Sequence, residues 1–290
     1  MLTPLPGGTY LTLKAYIELI RLPNAILSGI GAVFSVLVYH EYAADYSLLV
    51  AGFLTGFLLT GASMTVNDLV DLEVDRVNKP WKPLPRGDAA VGLSLVLAVL
   101  MVTVAIAVNA LIGVRALVVS TAYCVVGISY SFLRRCWWSH ALVALSTTGP
   151  VVYGYVVAGL PPRDLYFTVL FSTVIVLVNL GREILKAVQD VEGDLKHGYR
   201  TVATVFGIEK ASRAMLITGL AGSLLGIYTV TTSTGPAYKA LMALATALYA
   251  HSVVKAYRNA LNKVVSEKSR KRTLVAMFIG MAAFWLSKLD

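Results

Sequence analysis

Leu48 to Asp75 reads LLVAGFLTGFLLTGASMTVNDLVDLEVD. The first part, Leu48–Val66, carries no charge and approaches the roughly 20 apolar residues that a helix needs to cross a bilayer. The second part, from Asn67, brings Asp68, Asp71, Glu73 and Asp75 in quick succession. An uncharged span that ends in a cluster of acids predicts a membrane protein with its chemistry at one water-facing end.

Outward from this stretch, eight more apolar runs follow the same pattern: Ile17–Tyr39, Ala89–Ala110, Val114–Leu133, Ser139–Gly159, Leu165–Leu185, Ala214–Thr231, Tyr238–Val254 and Thr273–Leu289. They predict an all-α polytopic membrane protein, a bundle of about nine transmembrane helices. Little chain is left over, so residues 1–290 read as a single membrane-embedded domain. Composition agrees, with 57% hydrophobic and 14% charged residues, against roughly 25% charged in soluble domains. Met1 to Tyr10 lacks the basic start and short apolar core of a removable signal, so the first run reads as the first helix. Cys124 and Cys136 have neither disulfide-framework nor metal-site spacing and read as packing residues.

The net charge of +9 raises the question of nucleic acid, but the basic residues are segregated as in a membrane protein. With a cytoplasmic N-terminus and an external C-terminus, all Lys and Arg fall on the cytoplasmic side except Arg115, Arg163, Lys239 and Lys288. The expectation is a multi-pass cell-membrane protein that binds no nucleic acid and implies no protein partner. Its long connections, Asn67–Asp88 and Lys186–Arg213, lie on the cytoplasmic side.

On an unbroken helix, at about 100° per residue, Asn67, Asp68, Asp71 and Asp75 share one face while Glu73 points away. The sixth run ends in a second cluster, Arg182-Glu183-Ile184-Leu185-Lys186-Ala187-Val188-Gln189-Asp190-Val191-Glu192-Gly193-Asp194. There Glu183, Lys186, Asp190 and Asp194 fall within about 80° of one another, with Glu192 on the far side. Either cluster alone is also what a solvated helix end looks like; their recurrence at two spans points to a site. Like charges on one face call for a cation between them. All-oxygen ligands favour a hard one, and Mg2+ is usually held by one or two carboxylates together with phosphate oxygens. Arg76, Lys79, Lys82 and Arg86 follow the first cluster and Lys196 and Arg200 the second, a mixture suited to a polyphosphate.

These motifs resemble the UbiA-type superfamily of intramembrane prenyltransferases, which have nine helices and two Asp-rich motifs on cytoplasmic loops. N-D-x-x-D-x-x-x-D matches Asn67 through Asp75, and D-x-x-x-D matches Asp190 and Asp194. Ile17-Glu18-Leu19-Ile20-Arg21-Leu22-Pro23-Asn24, Gly181-Arg182-Glu183-Ile184 and Asp190 to Asp194 with Gly198 and Thr201 are similar to the archaeal digeranylgeranylglyceryl phosphate synthases, with Ala187 and Gln189 departing from their acidic pattern. The resemblance implies transfer of a geranylgeranyl group from geranylgeranyl diphosphate to geranylgeranylglyceryl phosphate in ether-lipid biosynthesis, with Mg2+ as cofactor. It also implies site roles. Asp68, Asp71, Asp75, Asp190 and Asp194 would hold Mg2+, and Asn67, Lys79, Lys82, Arg86, Arg134 and Lys186 would meet the diphosphate. Tyr130, in Tyr130-Ser131-Phe132-Leu133-Arg134, would lie near the breaking bond, with Arg134 in place of the family's Lys. Arg21, Asn24, Lys196 and Arg200 are candidates for the acceptor's phosphate.

Two rival readings remain. One keeps the chemistry with an aromatic acceptor of the quinone-precursor type, such as 4-hydroxybenzoate. The other is a membrane transporter, against which stands the position of the acids at span ends rather than at the midplane. Ser28, Ser146, Thr147 and Asn179 lie within spans, where they line a cavity or bond between helices. Gly52 and Gly56 read as close helix packing, the Trp residues as interfacial anchors, and Lys263–Arg272 as an orientation signal.

Overall fold

The computed structural model describes residues 12–133, 136–196, 198–232 and 235–288, and every regular element in them is a helix. The chain divides into two compact units, one of residues 1–33 and 45–132, the other of residues 34–44 and 133–290.

The first unit begins with α1 (Leu13–Leu19) and most of α2 (Leu22–Tyr39). The expected continuous run from Ile17 is broken at Arg21, whose φ of 50° leaves the helical region. Pro23 is the physical reason: in a continuous helix it has no N–H for the Leu19 carbonyl and its ring would clash there, whereas it fits the first turn of a new helix. Then come α3 (Tyr46–Val70), α4 (Leu72–Asn78), α5 (Pro83–Arg86), α6 (Val91–Ile112) and α7 (Val114–Leu133). Helix α3 packs closely on its neighbours because small residues line it. A Cβ on Gly56 would stand 2.5 Å from the Ser28 carbonyl oxygen, as close packing at this glycine requires. On another face Asn109 of α6 donates to the Thr55 hydroxyl at 2.7 Å.

The stretch after α3 is therefore not a plain loop. Ala15, Leu19, Leu84 and Ala89 form a buried apolar cluster with Tyr16, Leu69 and Leu72 against it. The Ala90 N–H donates to the Tyr16 hydroxyl at 3.2 Å. This cluster pins α5 beside the end of α3 and fixes where Lys79, Lys82 and Arg86 can reach.

The second unit holds the end of α2, α8 (Ser139–Ser146), α9 (Gly149–Val157), α10 (Pro162–Lys196), α11 (Val202–Phe206), α12 (Ile208–Thr229), α13 (Pro236–Arg258) and α14 (Lys263–Trp285). Helices α8 and α9 bend by 47°. Pro150 lacks an amide proton, and Ser146, Thr147 and Thr148 each donate to a carbonyl three residues back, at 2.7–2.8 Å. Those hydroxyls, like the Asn179 amide bonded to Ile175 at 2.9 Å, reach carbonyls of their own stretch of chain. On α12, Gly219 faces Val253, Gly222 faces Val178 and Gly226 faces Thr246, so α10 and α13 approach it closely. One core gathers Val38, Tyr39, Phe171, Tyr238 and Phe284, with Trp285 packed on it. Trp285, half-buried, stacks on Phe34 at 4.3 Å.

Among the described residues, α2, α3, α6, α7, α10 and α12 are long and apolar enough to cross a membrane, and the bent pair makes a seventh if it counts as one span. Multiple apolar helices of this kind make the chain a multi-pass membrane protein. The expected eighth and ninth runs are also helical, but α13 takes in Lys255 and Arg258, and α14 starts at Lys263 rather than Thr273. The Lys255–Arg272 connection is thus almost wholly helix. Helix α10 runs unbroken through Gly193 for 35 residues. That is about 52 Å, well beyond the ~30 Å hydrocarbon core.

Candidate functional site

In the first unit the acids stay together although the helix does not continue straight. Asp71 is the joint between α3 and α4, and the bonds Asp71 N to Asn67 O (3.0 Å) and Asp75 N to Asp71 O (2.8 Å) carry helical spacing across it. Asp68, Asp71 and Asp75 are only 4%, 4% and 2% exposed, whereas Glu73 faces outward and pairs with Arg76 at 2.8 Å.

Two of these buried carboxylates, Asp68 and Asp75, are paired with three cations. Lys82 Nζ lies 2.8 Å from Asp68 Oδ1 and 2.5 Å from Asp75 Oδ2. Lys79 Nζ lies 3.6 Å from Asp75 Oδ1, and Arg21 Nη2 3.2 Å from Asp68 Oδ1. Arg21, expected at the acceptor, therefore sits on an acid of the first motif, and its left-handed backbone is what turns it there. Arg86 instead bonds Asp88 at 2.5 Å, Glu18 at 3.5 Å and the Trp81 carbonyl at 3.2 Å, so it ties down α5. Asn67 Nδ2 is buried and has no hydrogen-bond partner among the described residues.

The second unit places its acids along the end of α10. Glu183 is buried and paired with Arg182 (3.1 Å) and Lys186 (3.9 Å). Asp190 is exposed, Asp194 half-buried, and Glu192 points outward to Lys263 at 2.9 Å. Lys196, Arg200 and Asn24 are exposed, Tyr130 is half-buried on α7, and Arg134 lies outside the described residues. Gly198, at φ 68°, and Thr201, whose hydroxyl accepts from Thr204 N at 3.3 Å, serve to stop α10 and start α11.

Sequence reasoning missed Glu267 and Arg270. Arg270 binds both oxygens of Glu267, at 2.8 and 2.9 Å. Arg270 holds Glu267 below its ordinary carboxylate range. A usable signal was present, since Ser266, Ser269 and Thr273 at helical spacing mark a packed face inside an otherwise basic stretch.

Among the described residues no three His, Cys, Asp or Glu side chains converge on one point as a metal shell. In the first cluster the reason is visible: one ammonium occupies the place between Asp68 and Asp75 where a cation would go. The donor chemistry fits a hard divalent ion, because the carboxylates are buried together and carry only oxygen donors.

The sequence profile of the UbiA prenyltransferase family matches residues 28–286. Among curated relatives, digeranylgeranylglyceryl phosphate synthase of Pyrococcus abyssi is 29% identical over 278 residues, covering 95% of this chain and 98% of the relative. A solved structure concerned with digeranylgeranylglyceryl phosphate synthase in membranes has the same fold, with TM-score 0.78 and 23% identity over 96% of this chain and 98% of that one. A UbiA homologue from Archaeoglobus fulgidus, solved with GPP and Mg2+ bound, superposes with TM-score 0.68 at 18% identity, covering 93% and 99% of the two chains.

Proposed function

The chain belongs to the UbiA prenyltransferase family, and on that premise we propose that it transfers a geranylgeranyl group from geranylgeranyl diphosphate to geranylgeranylglyceryl phosphate and releases diphosphate. The observation that carries this reading is the burial of Asp68, Asp71 and Asp75, with Asp68 and Asp75 paired to Lys82, Lys79 and Arg21, in a chain that matches the Pyrococcus abyssi enzyme over nearly its whole length. Carboxylates and ammonium groups in one buried patch suit a metal–diphosphate pair, since each sign finds a partner in the ligand. In this reading the bundle crosses the membrane nine times, with both acidic motifs and the N-terminus on the cytoplasmic side.

Asp68, Asp71, Asp75, Asp190 and Asp194 would hold Mg2+, which when bound supplies positive charge to the departing diphosphate. The chain's own part is positioning and charge. Lys82 and Lys79 have diphosphate oxygens as alternative partners to Asp68 and Asp75, and Asn67 has a buried amide donor to spare. Lys186 and Arg134 are the corresponding bases of α10 and of the connection after α7. Arg21, Asn24, Lys196 and Arg200 are assigned to the acceptor, with Arg21 shared with Asp68. Helices lined with apolar side chains exclude water, so that the allylic carbon meets the acceptor hydroxyl, with Tyr130 beside it.

The test is product analysis. Purified protein with Mg2+ and geranylgeranyl diphosphate should prenylate geranylgeranylglyceryl phosphate, and EDTA should stop it. Prenylated 4-hydroxybenzoate in its place would move the enzyme to an aromatic acceptor. No product with either would overturn the reading and return transport to consideration.

A further inference from the structure

The first half of α14 has two unlike faces. Ser266, Ser269 and Thr273 are buried, and the Ser266 hydroxyl donates to the Asn259 carbonyl at the end of α13, at 3.2 Å. The other face carries Lys268, Lys271 and Arg272, all exposed. At about 100° per residue these three fall within about 100° of one another, with Val264 and Val275 inside the same arc and Phe278 at its edge. Val264, Val275 and Phe278 are exposed too, so an outward apolar stripe runs straight into a band of cations. The acid of this half-helix is already engaged. Glu267 takes both bonds from Arg270, at 2.8 and 2.9 Å, and stands 3.8 Å from Lys271, which leaves Lys268 and Arg272 without an ion pair among the described residues. Two like charges one turn apart, with Cβ atoms about 6 Å from each other, call for an anion between them.

The depth of the band says where that anion comes from. Beyond Arg272 the next charge is Lys288, held by Asp164 at 2.8 Å. The uncharged stretch between them rises about 22 Å as a helix, short of the ~30 Å hydrocarbon core of a bilayer. Lys271 and Arg272 are therefore drawn to the hydrocarbon edge, where long basic side chains reach out to lipid phosphates. We propose that Lys268, Lys271 and Arg272 form a binding surface for the phosphate of an anionic membrane lipid, whose tails lie along Val275 and Phe278. Arg272 supplies a planar fork for two phosphate oxygens, and the lysines supply point charges on either side. A zwitterionic headgroup brings its own ammonium into a band that already has unpaired cations, so the surface favours lipids of net negative charge. This inference does not depend on prenyl transfer.

The experiment titrates the full chain in detergent with phosphatidylglycerol or phosphatidylcholine and counts bound lipid by native mass spectrometry. Wild type should hold phosphatidylglycerol more tightly than phosphatidylcholine. Lys268→Gln combined with Arg272→Gln should weaken the first phosphatidylglycerol about thirtyfold, as two juxtamembrane cations do, and leave phosphatidylcholine unchanged. If that protein does not fold, Lys268→Gln alone should weaken it about fivefold. Lys210→Gln combined with Arg213→Gln removes the same charge from exposed positions at the start of α12 and should change neither lipid. Inorganic phosphate, added at constant ionic strength, should not displace the bound lipid. Wild-type affinity for phosphatidylglycerol in a folded α14 variant, or an equal loss in the α12 variant, would overturn the inference. So would equal binding of the two lipids by wild type, and displacement by inorganic phosphate would give the surface to a soluble anion instead of the membrane.

Discussion

The ammonium of Lys82 lies 2.5 Å from Oδ2 of Asp75, and the same nitrogen holds Asp68 at 2.8 Å. One lysine from the α5 region thus closes the acidic face formed by α3 and α4.

Replacing Lys82 by Met leaves two buried carboxylates short of a cation, and removal of one partner from a buried pair costs about 3 kcal/mol or more. The variant should unfold at lower temperature than wild type in EDTA and regain part of the difference in Mg2+. Thermal melts with and without metal check this, and an equal deficit in both conditions would argue against a cation replacing the lysine.

Asp71→Ala and Asp190→Ala should each lose at least about a hundredfold in turnover while remaining folded, because oriented ligands that stabilise a leaving group act only in the transition state. Single-turnover product yield, read beside a detergent melt, separates lost chemistry from lost fold. Full activity in either variant would remove that residue from the metal set.

Gly154→Ala should destabilise without touching chemistry. Its new Cβ would stand 2.5 Å from the Ser35 carbonyl carbon, a backbone atom that cannot swing away. Overpacking of this kind costs about 1–3 kcal/mol. A variant as stable as wild type would show that α2 and α9 can separate at no cost.

Asp164→Asn probes the opposite end of α10, about 39 Å along the helix from Asp190. Asp164 is buried and receives Lys288 at 2.8 Å, with Tyr39 bonded to Thr168 one turn on, at 2.7 Å. Stability should fall by about 1–3 kcal/mol, while KM and kcat per folded enzyme stay at wild-type values. A changed KM would mean that this clamp communicates with the acidic end.

What the sequence by itself determined was local and periodic. Uncharged runs of bilayer length, the spacing of Asp68, Asp71 and Asp75, and the outward positions of Glu73 and Glu192 follow from helical geometry and the cost of burying charge, so the order of residues alone makes them legible. Tertiary structure alone decided which base meets which acid. Arg21 reaches Asp68 only because Pro23 breaks the first run and a left-handed residue turns the side chain. Lys82, not Arg86, bridges the acids because Leu84 is buried with Ala15 and Leu19, which orients α5. Pairings of this sort depend on how helices pack, and packing is set by small residues and shape at contacts far apart in the chain, where sequence spacing carries no information.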